Sequence, residues 1–123
     1  GETILLVEDE PGVRKLVRQM LVQQGYQVLE AGSGPEALAL AQRHPGPIHL
    51  LLTDVVMPQL NGRELAEQLQ ALRPGIKLIY MTGYTEDAVV RHGVSTAGVV
   101  CLQKPFLPDT LARKVREVLD RAE

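Results

Sequence analysis

Leu50-Leu51-Leu52-Thr53-Asp54 is three leucines without a polar break, then a hydroxyl and an acid. An unbroken apolar run, unlike the alternation of a half-solvated strand, belongs to a strand covered on both faces, as in a parallel sheet. Ile4-Leu5-Leu6-Val7 before Glu8 has the same form, as does Leu78-Ile79-Tyr80-Met81 before Thr82. Val99-Val100-Cys101-Leu102 leads into Gln103-Lys104, and a weaker run around Val28-Leu29 covers about Tyr26 to Ala31.

Helical periods fill the intervals. Val13, Leu16, Val17, Met20 and Leu21 fall at i, i+3, i+4, i+7 and i+8, a stripe that Gly25 ends. Ser33 with Glu36, and Asn61 with Glu64, read as N-caps followed by a capping-box glutamate. They open helices carrying Ala37, Leu38 and Ala41, and Leu65, Leu69 and Leu72. Thr85 caps a short fourth helix with Glu86 and Asp87 in its first turn, and Pro108 suits the first turn of a last helix bearing Leu111, Val115, Val118 and Leu119. The order is βαβαβαβαβα. Right-handed crossovers then predict an α/β, flavodoxin-like doubly wound fold: a five-stranded parallel sheet in the order 2-1-3-4-5 with five helices. In that order the ligand crevice lies at the carboxyl ends of strands 1 and 3. Glu8, Asp9 and Asp54 fall there.

Composition agrees with one globular domain. The chain has 123 residues, 45% hydrophobic and 23% charged. With 13 basic and 15 acidic residues and a formal charge of -2, a nucleic-acid partner held by a basic surface is excluded. The single cysteine, Cys101, excludes a disulfide framework and a multi-cysteine zinc site. No apolar run approaches the roughly 18 residues of a membrane span. The expectation is a cytoplasmic single domain over residues 1–123, without membrane contact or a signal peptide. It opens at Gly1, not methionine, as a piece of a longer chain would.

Three carboxylates in one crevice repel one another; two unit charges about 4 Å apart cost roughly 4 kcal/mol at an effective dielectric of 20. Such a cluster persists where a cation fills it or one acid stays protonated. All-oxygen ligands with room for water suit Mg²⁺ over zinc. Thr82 adds a hydroxyl at the end of strand 4. Lys104, restricted by Pro105, adds an ammonium at the end of strand 5. A lysine facing an acid cluster can hold a phosphoryl group while a carboxylate acts as nucleophile. These residues suggest an Mg²⁺-dependent phospho-aspartyl site, whose phosphate is either an intermediate or a signal.

Four motifs in order carry a family resemblance: ILLVEDE ending its strand at Glu8-Asp9, LLLTDVVMPQLNG with Asp54, Met57-Pro58 and Gly62, YMTG with Thr82, and LQKPF with Lys104-Pro105-Phe106. From about Thr3 to Leu119 the chain resembles the receiver domain of two-component response regulators, most of all the receivers of hybrid sensor histidine kinases. The resemblance implies a phosphorylatable response regulatory domain in a phosphorelay. Asp54 would accept the phosphoryl group from a histidine kinase or a histidine phosphotransfer domain, in a self-catalysed step that the domain also reverses. Mg²⁺ would be held by Asp9, the Asp54 carboxylate and the Val56 carbonyl, with Glu8 assisting through water. Lys104 would pair with the phosphoryl oxygens, and Thr82 would swing in to report them. Gly62 would suit a backbone position of positive φ. The face of the fourth helix, fifth strand and fifth helix, roughly Ala88 to Val94 with Val99 to Leu102, would then change partners: a second copy or an attached output domain.

Two residues depart from the family pattern. Cys101 stands where many receivers carry an aromatic three positions before the lysine, and reads as a small buried strand residue. Gly83 follows Thr82 where alanine is commoner. His44, His49 and His92 share no ligand spacing; His44 and His92 read as exposed helix-end residues, and Tyr84 lies at the mouth of the site. Rival readings are weaker. A haloacid-dehalogenase-like phosphatase needs a general acid two residues after its nucleophile, and Val56 cannot serve. A flavin-binding turn would be rich in Gly, Ser or Thr, not acids. A degenerate receiver that binds without phosphate is opposed by Glu8, Asp9, Asp54, Thr82 and Lys104 together.

Overall fold

The computed structural model describes residues 1–83 and 100–121. The expected fourth helix with its Thr85 cap, Tyr84, His92 and the surface from Ala88 to Val94 lie outside these residues. The described elements are β1 (Thr3–Val7), α1 (Pro11–Gln23), β2 (Gln27–Ala31), α2 (Gly34–Arg43), β3 (Leu50–Asp54), α3 (Gly62–Leu72), β4 (Lys77–Thr82), β5 (Cys101–Gln103) and a last helix, α4 (Pro108–Leu119). All neighbouring strands are parallel, in the order β2-β1-β3-β4-β5. This is the doubly wound topology expected from the apolar runs.

The uninterrupted runs are buried from both sides. Every residue of β1 and β3 is buried. Leu5, Val7 and Leu51 face one layer with Ala37 and Ala41 of α2 and Leu65, Ala66 and Leu69 of α3. Ile4, Leu6, Leu50 and Leu52 face the other, with Val17 and Leu21 of α1 and Leu111, Val115 and Val118 of α4. Each fully buried leucine contributes about 1.5–3 kcal/mol relative to exposure. The edge strand β2 is half exposed, which is why its apolar run is weak.

Helix starts follow their caps. Asn61 and Glu64 form the complete capping box: the Glu64 N–H donates to Asn61 Oδ1 at 2.9 Å, and the Asn61 N–H to Glu64 Oε1 at 3.1 Å. At Ser33 only half the box forms, because the Glu36 side chain takes the Gly32 N–H instead, at 2.8 Å. Gly25 closes α1 with φ 92°. The stripe on α1 is narrower than its period indicates: Val17 and Leu21 are buried, but Leu16 is 53% exposed, turned to the rim of a groove beside Phe106. Gly62 corrects a second expectation. Its φ is not positive; the positive φ in that loop belongs to Gln59, at 72°. Gly62 is needed for space, since a Cβ there would collide with the Asp54 carbonyl oxygen and crowd the Val55 Cα. Its N–H donates to the Val55 carbonyl at 2.8 Å, drawing the loop after β3 tightly back onto the strand end.

Candidate functional site

Parallel register delivers the predicted residues to one edge. Val7 pairs with Thr53, Asp54 with Met81, and Thr82 with Gln103, so the residues at or just past these positions, Glu8, Asp54, Thr82 and Lys104, share the carboxyl end of the sheet. A backbone bond from the Lys104 N–H to the Thr82 carbonyl, 2.7 Å, extends the β4–β5 pairing to the lysine. The Lys104–Pro105 peptide is cis.

Carboxylate oxygens of Glu8, Asp9 and Asp54 lie within 4.8 Å of one another. The Lys104 Nζ donates to Asp54 Oδ1 at 2.8 Å and to Glu8 Oε1 at 3.0 Å. Glu8 is fully buried, and its Oε2 accepts the Glu10 N–H at 3.1 Å. Asp54 is buried too, with Oδ2 lacking a partner among the described residues. Above this floor opens a cavity of about 680 Å³ lined by Asp9, Asp54, Val56, Met57, Thr82 and Lys104, among others. Asp9 is exposed at its mouth.

The electrostatics follow from this packing. Burial disfavours the Asp54 carboxylate and the adjoining Glu8 raises it further; Lys104 opposes both but does not prevail, and the pKa is pushed up to about 8. Burial alone would raise Glu8 too, but Asp54, the Glu10 N–H and Lys104 together outweigh it and leave Glu8 lowered. Burial works against the Lys104 ammonium, yet its two carboxylate partners hold its pKa above the ordinary value. Without a metal ion, burial and Glu8 therefore favour a proton on Asp54 up to about pH 8.

The donor set fits Mg²⁺: oxygens only, two buried acids and one exposed, a buried carboxylate oxygen without a partner, and an open cavity for water or phosphate. Glu8 is not among the residues lining that cavity. Val56 lines it without an ionisable group, which leaves the phosphatase reading without its general acid.

Cys101 is half-buried, not buried, and sits opposite the buried Tyr80 in the β4–β5 register. His44 caps the end of α2, half-buried, and His49 accepts the Thr3 N–H at Nδ1, 2.9 Å, far from the acids in the fold. The Glu10 N–H bond to Glu8 was not legible in the motif, because it depends on how the turn after β1 folds back.

Residues 4–116 match the response regulator receiver domain family. The chain is 40% identical over 121 residues to the sensor kinase CckA of Brucella abortus, covering 98% of this chain but 13% of that kinase. The receiver domain structure of the hybrid histidine kinase CckA superposes with a TM-score of 0.81 at 36% identity, covering 96% of this chain and 99% of that one. The response regulator TrrA of Thermotoga maritima, solved in complex with Mg²⁺ and BeF, superposes with a TM-score of 0.80 at 30% identity, covering 96% of this chain and 99% of that one. The carboxyl-edge acids, the bridging lysine and these likenesses lead to one conclusion: the chain belongs to the response regulator receiver domain family of two-component signalling.

Proposed function

We propose that this receiver accepts a phosphoryl group on Asp54 from a phosphohistidine donor, with Mg²⁺ held by Asp9, Asp54 and the Val56 carbonyl and with Glu8 acting indirectly. The observation that carries the reading is Lys104, whose ammonium bridges Asp54 Oδ1 and Glu8 Oε1 at the floor of an open cavity. When bound, Mg²⁺ offsets the acid charge and clamps phosphoryl oxygens. Asp54 attacks as the carboxylate, so the proton favoured there in the metal-free site passes first to water in the open cavity. An Asp54 oxygen then forms the P–O bond as the donor's P–N bond breaks, and the imidazole nitrogen keeps the electron pair. Lys104 moves from carboxylate to phosphoryl oxygen while still held by Glu8, and the Thr82 hydroxyl closes on the new group. The resulting population shift alters the face made by the expected fourth helix, β5 and α4.

The donor is a histidine kinase or a histidine phosphotransfer domain. An apolar groove of about 330 Å³ shares Glu10 and Lys104 with the acidic cavity and is walled by Leu16, Met20 and Phe106. Leu107, 70% exposed, follows Phe106 in the same loop. That continuity gives the donor domain a surface next to Asp54. Residues 1–123 act as a single cytoplasmic receiver unit, a reading supported by the family match over residues 4–116. A second copy or an output domain is the partner for the switching face.

Beryllofluoride, a phosphoryl mimic, tests acceptor geometry without a donor. Fluorine NMR should show a bound species that needs Mg²⁺ and disappears in Asp54→Asn. No bound species in the unsubstituted chain would overturn the reading.

A further inference from the structure

We propose that Arg14 is a positioning residue for the acidic site: its guanidinium braces the turn between β1 and α1 so that Asp9, and Glu8 behind it, are held in one fixed arrangement for a divalent cation. The proposal rests on the Mg²⁺ reading above and concerns a residue outside the four motifs. Arg14 lies in the second turn of α1, and helical side chains lean toward the helix N-terminus, so it can reach back to the strand end. Its Nη1 donates to the Glu8 carbonyl at 2.8 Å. Glu8 is then fixed at four points: its N–H on the Ala31 carbonyl at 3.1 Å, its carbonyl under Arg14, one carboxylate oxygen on the Glu10 N–H and the other on Lys104.

Arg14 is itself held. Its Nε lies 3.7 Å from Glu30 Oε1 on β2, while Arg18 Nε engages the other Glu30 oxygen at 2.9 Å. Nη1 passes close over Gly32, where a Cβ would stand 3.0 Å from it, so the missing side chain leaves the guanidinium its path. The arginine thus ties α1 and β2 to the backbone that carries two of the three acids. Removing it leaves the carbonyl of a fully buried residue without its side-chain donor and loosens the turn.

Charge and bracing make opposite predictions. As a charge, Arg14 repels a cation, and its loss would tighten Mg²⁺ binding. As a brace, it holds ligands in place, and its loss weakens binding, as loss of outer supports does at other metal sites. Calorimetric titration with MgCl₂ at pH 7.5 of the unsubstituted chain, Arg14→Met and Arg14→Lys reads the sign, and melting curves without metal show that each variant is folded. Arg14→Met should bind Mg²⁺ roughly tenfold more weakly. Arg14→Lys keeps the charge but not the forked reach, and should recover part of the loss, remaining about threefold weaker. If Arg14→Met binds as tightly or more tightly, the brace is refuted while the Mg²⁺ site stands. If Arg14→Met does not fold, an Arg14→Lys affinity equal to that of the unsubstituted chain refutes it. If the unsubstituted chain takes up no Mg²⁺, the site reading falls, and this proposal with it.

Discussion

Asp54→Asn should stabilise the metal-free protein, and the gain should grow with pH. Folding moves the Asp54 pKa from its ordinary 3.8 to about 8, so between these values the folded state holds a proton that the unfolded state has released. Stability then falls as pH rises across that window, at about 1.4 kcal/mol per unit. Near pH 8 this sums to roughly 5 kcal/mol. Asparagine has the same shape and no proton to hold, and its Oδ1 still accepts from the Lys104 ammonium, but an amide replaces the carboxyl's bonds imperfectly, at a cost of about 1.5–3 kcal/mol. The balance is a gain of roughly 2–3 kcal/mol near pH 8, or about 8 °C in melting temperature for a chain of this length. Below about pH 4 the carboxyl is neutral in both states and the linkage gain vanishes. Glu8, whose pKa is lowered, has the opposite dependence: its contribution is present above its ordinary 4.5 and is lost as pH falls. It is common to both proteins and shapes each curve more than their difference. Circular-dichroism melts in EDTA from pH 4 to 8.5 read that difference. A gap that is flat with pH, or negative near pH 8, would show that Asp54 is not held protonated by burial and Glu8. Excess MgCl₂ should narrow the gap by stabilising the unsubstituted chain alone.

Gly62→Ala should cost about 2–4 kcal/mol in urea unfolding and weaken the Mg²⁺-induced rise in melting temperature, since the added methyl must displace the Asp54 carbonyl. Asn61→Ala removes one arm of the capping box at the start of α3 and should lower stability by about 1–2 kcal/mol, seen as a lower urea midpoint with an unchanged slope. Lys104→Met leaves the buried Glu8 carboxylate, and the Asp54 carboxyl beside it, without their cation. It should lower the metal-free melting temperature, by a cost on the order of 3 kcal/mol, and abolish phosphoryl uptake measured by mass.

The sheet was legible because β1 and β3 are covered on both faces, so burial wrote continuous apolar runs that a half-solvated strand would have interrupted. The acids were legible for a related reason: they stand where those runs stop, and parallel register brings such stops to one edge. Local chemistry also showed through at Asn61 and Glu64, whose bonds span three residues. What escaped the sequence is non-local. Leu16 fits the helical period of α1 but is exposed, because the helix turns Val17 and Leu21 to the sheet and leaves Leu16 beside Phe106. Gly62 reads as a turn glycine, yet its constraint is the backbone of Asp54 and Val55 pressed against it. The motif placed Lys104 near Asp54, but its second bond to the fully buried Glu8, and the burial that with Glu8 raises the Asp54 pKa against Lys104, required the packed site.

Intact mass after incubation with MgCl₂ and acetyl phosphate tests the central claim most directly. The account predicts one added phosphoryl group, absent when EDTA replaces Mg²⁺ and absent in Asp54→Asn. An unmodified mass in the presence of Mg²⁺, or an adduct that persists in Asp54→Asn, would contradict it.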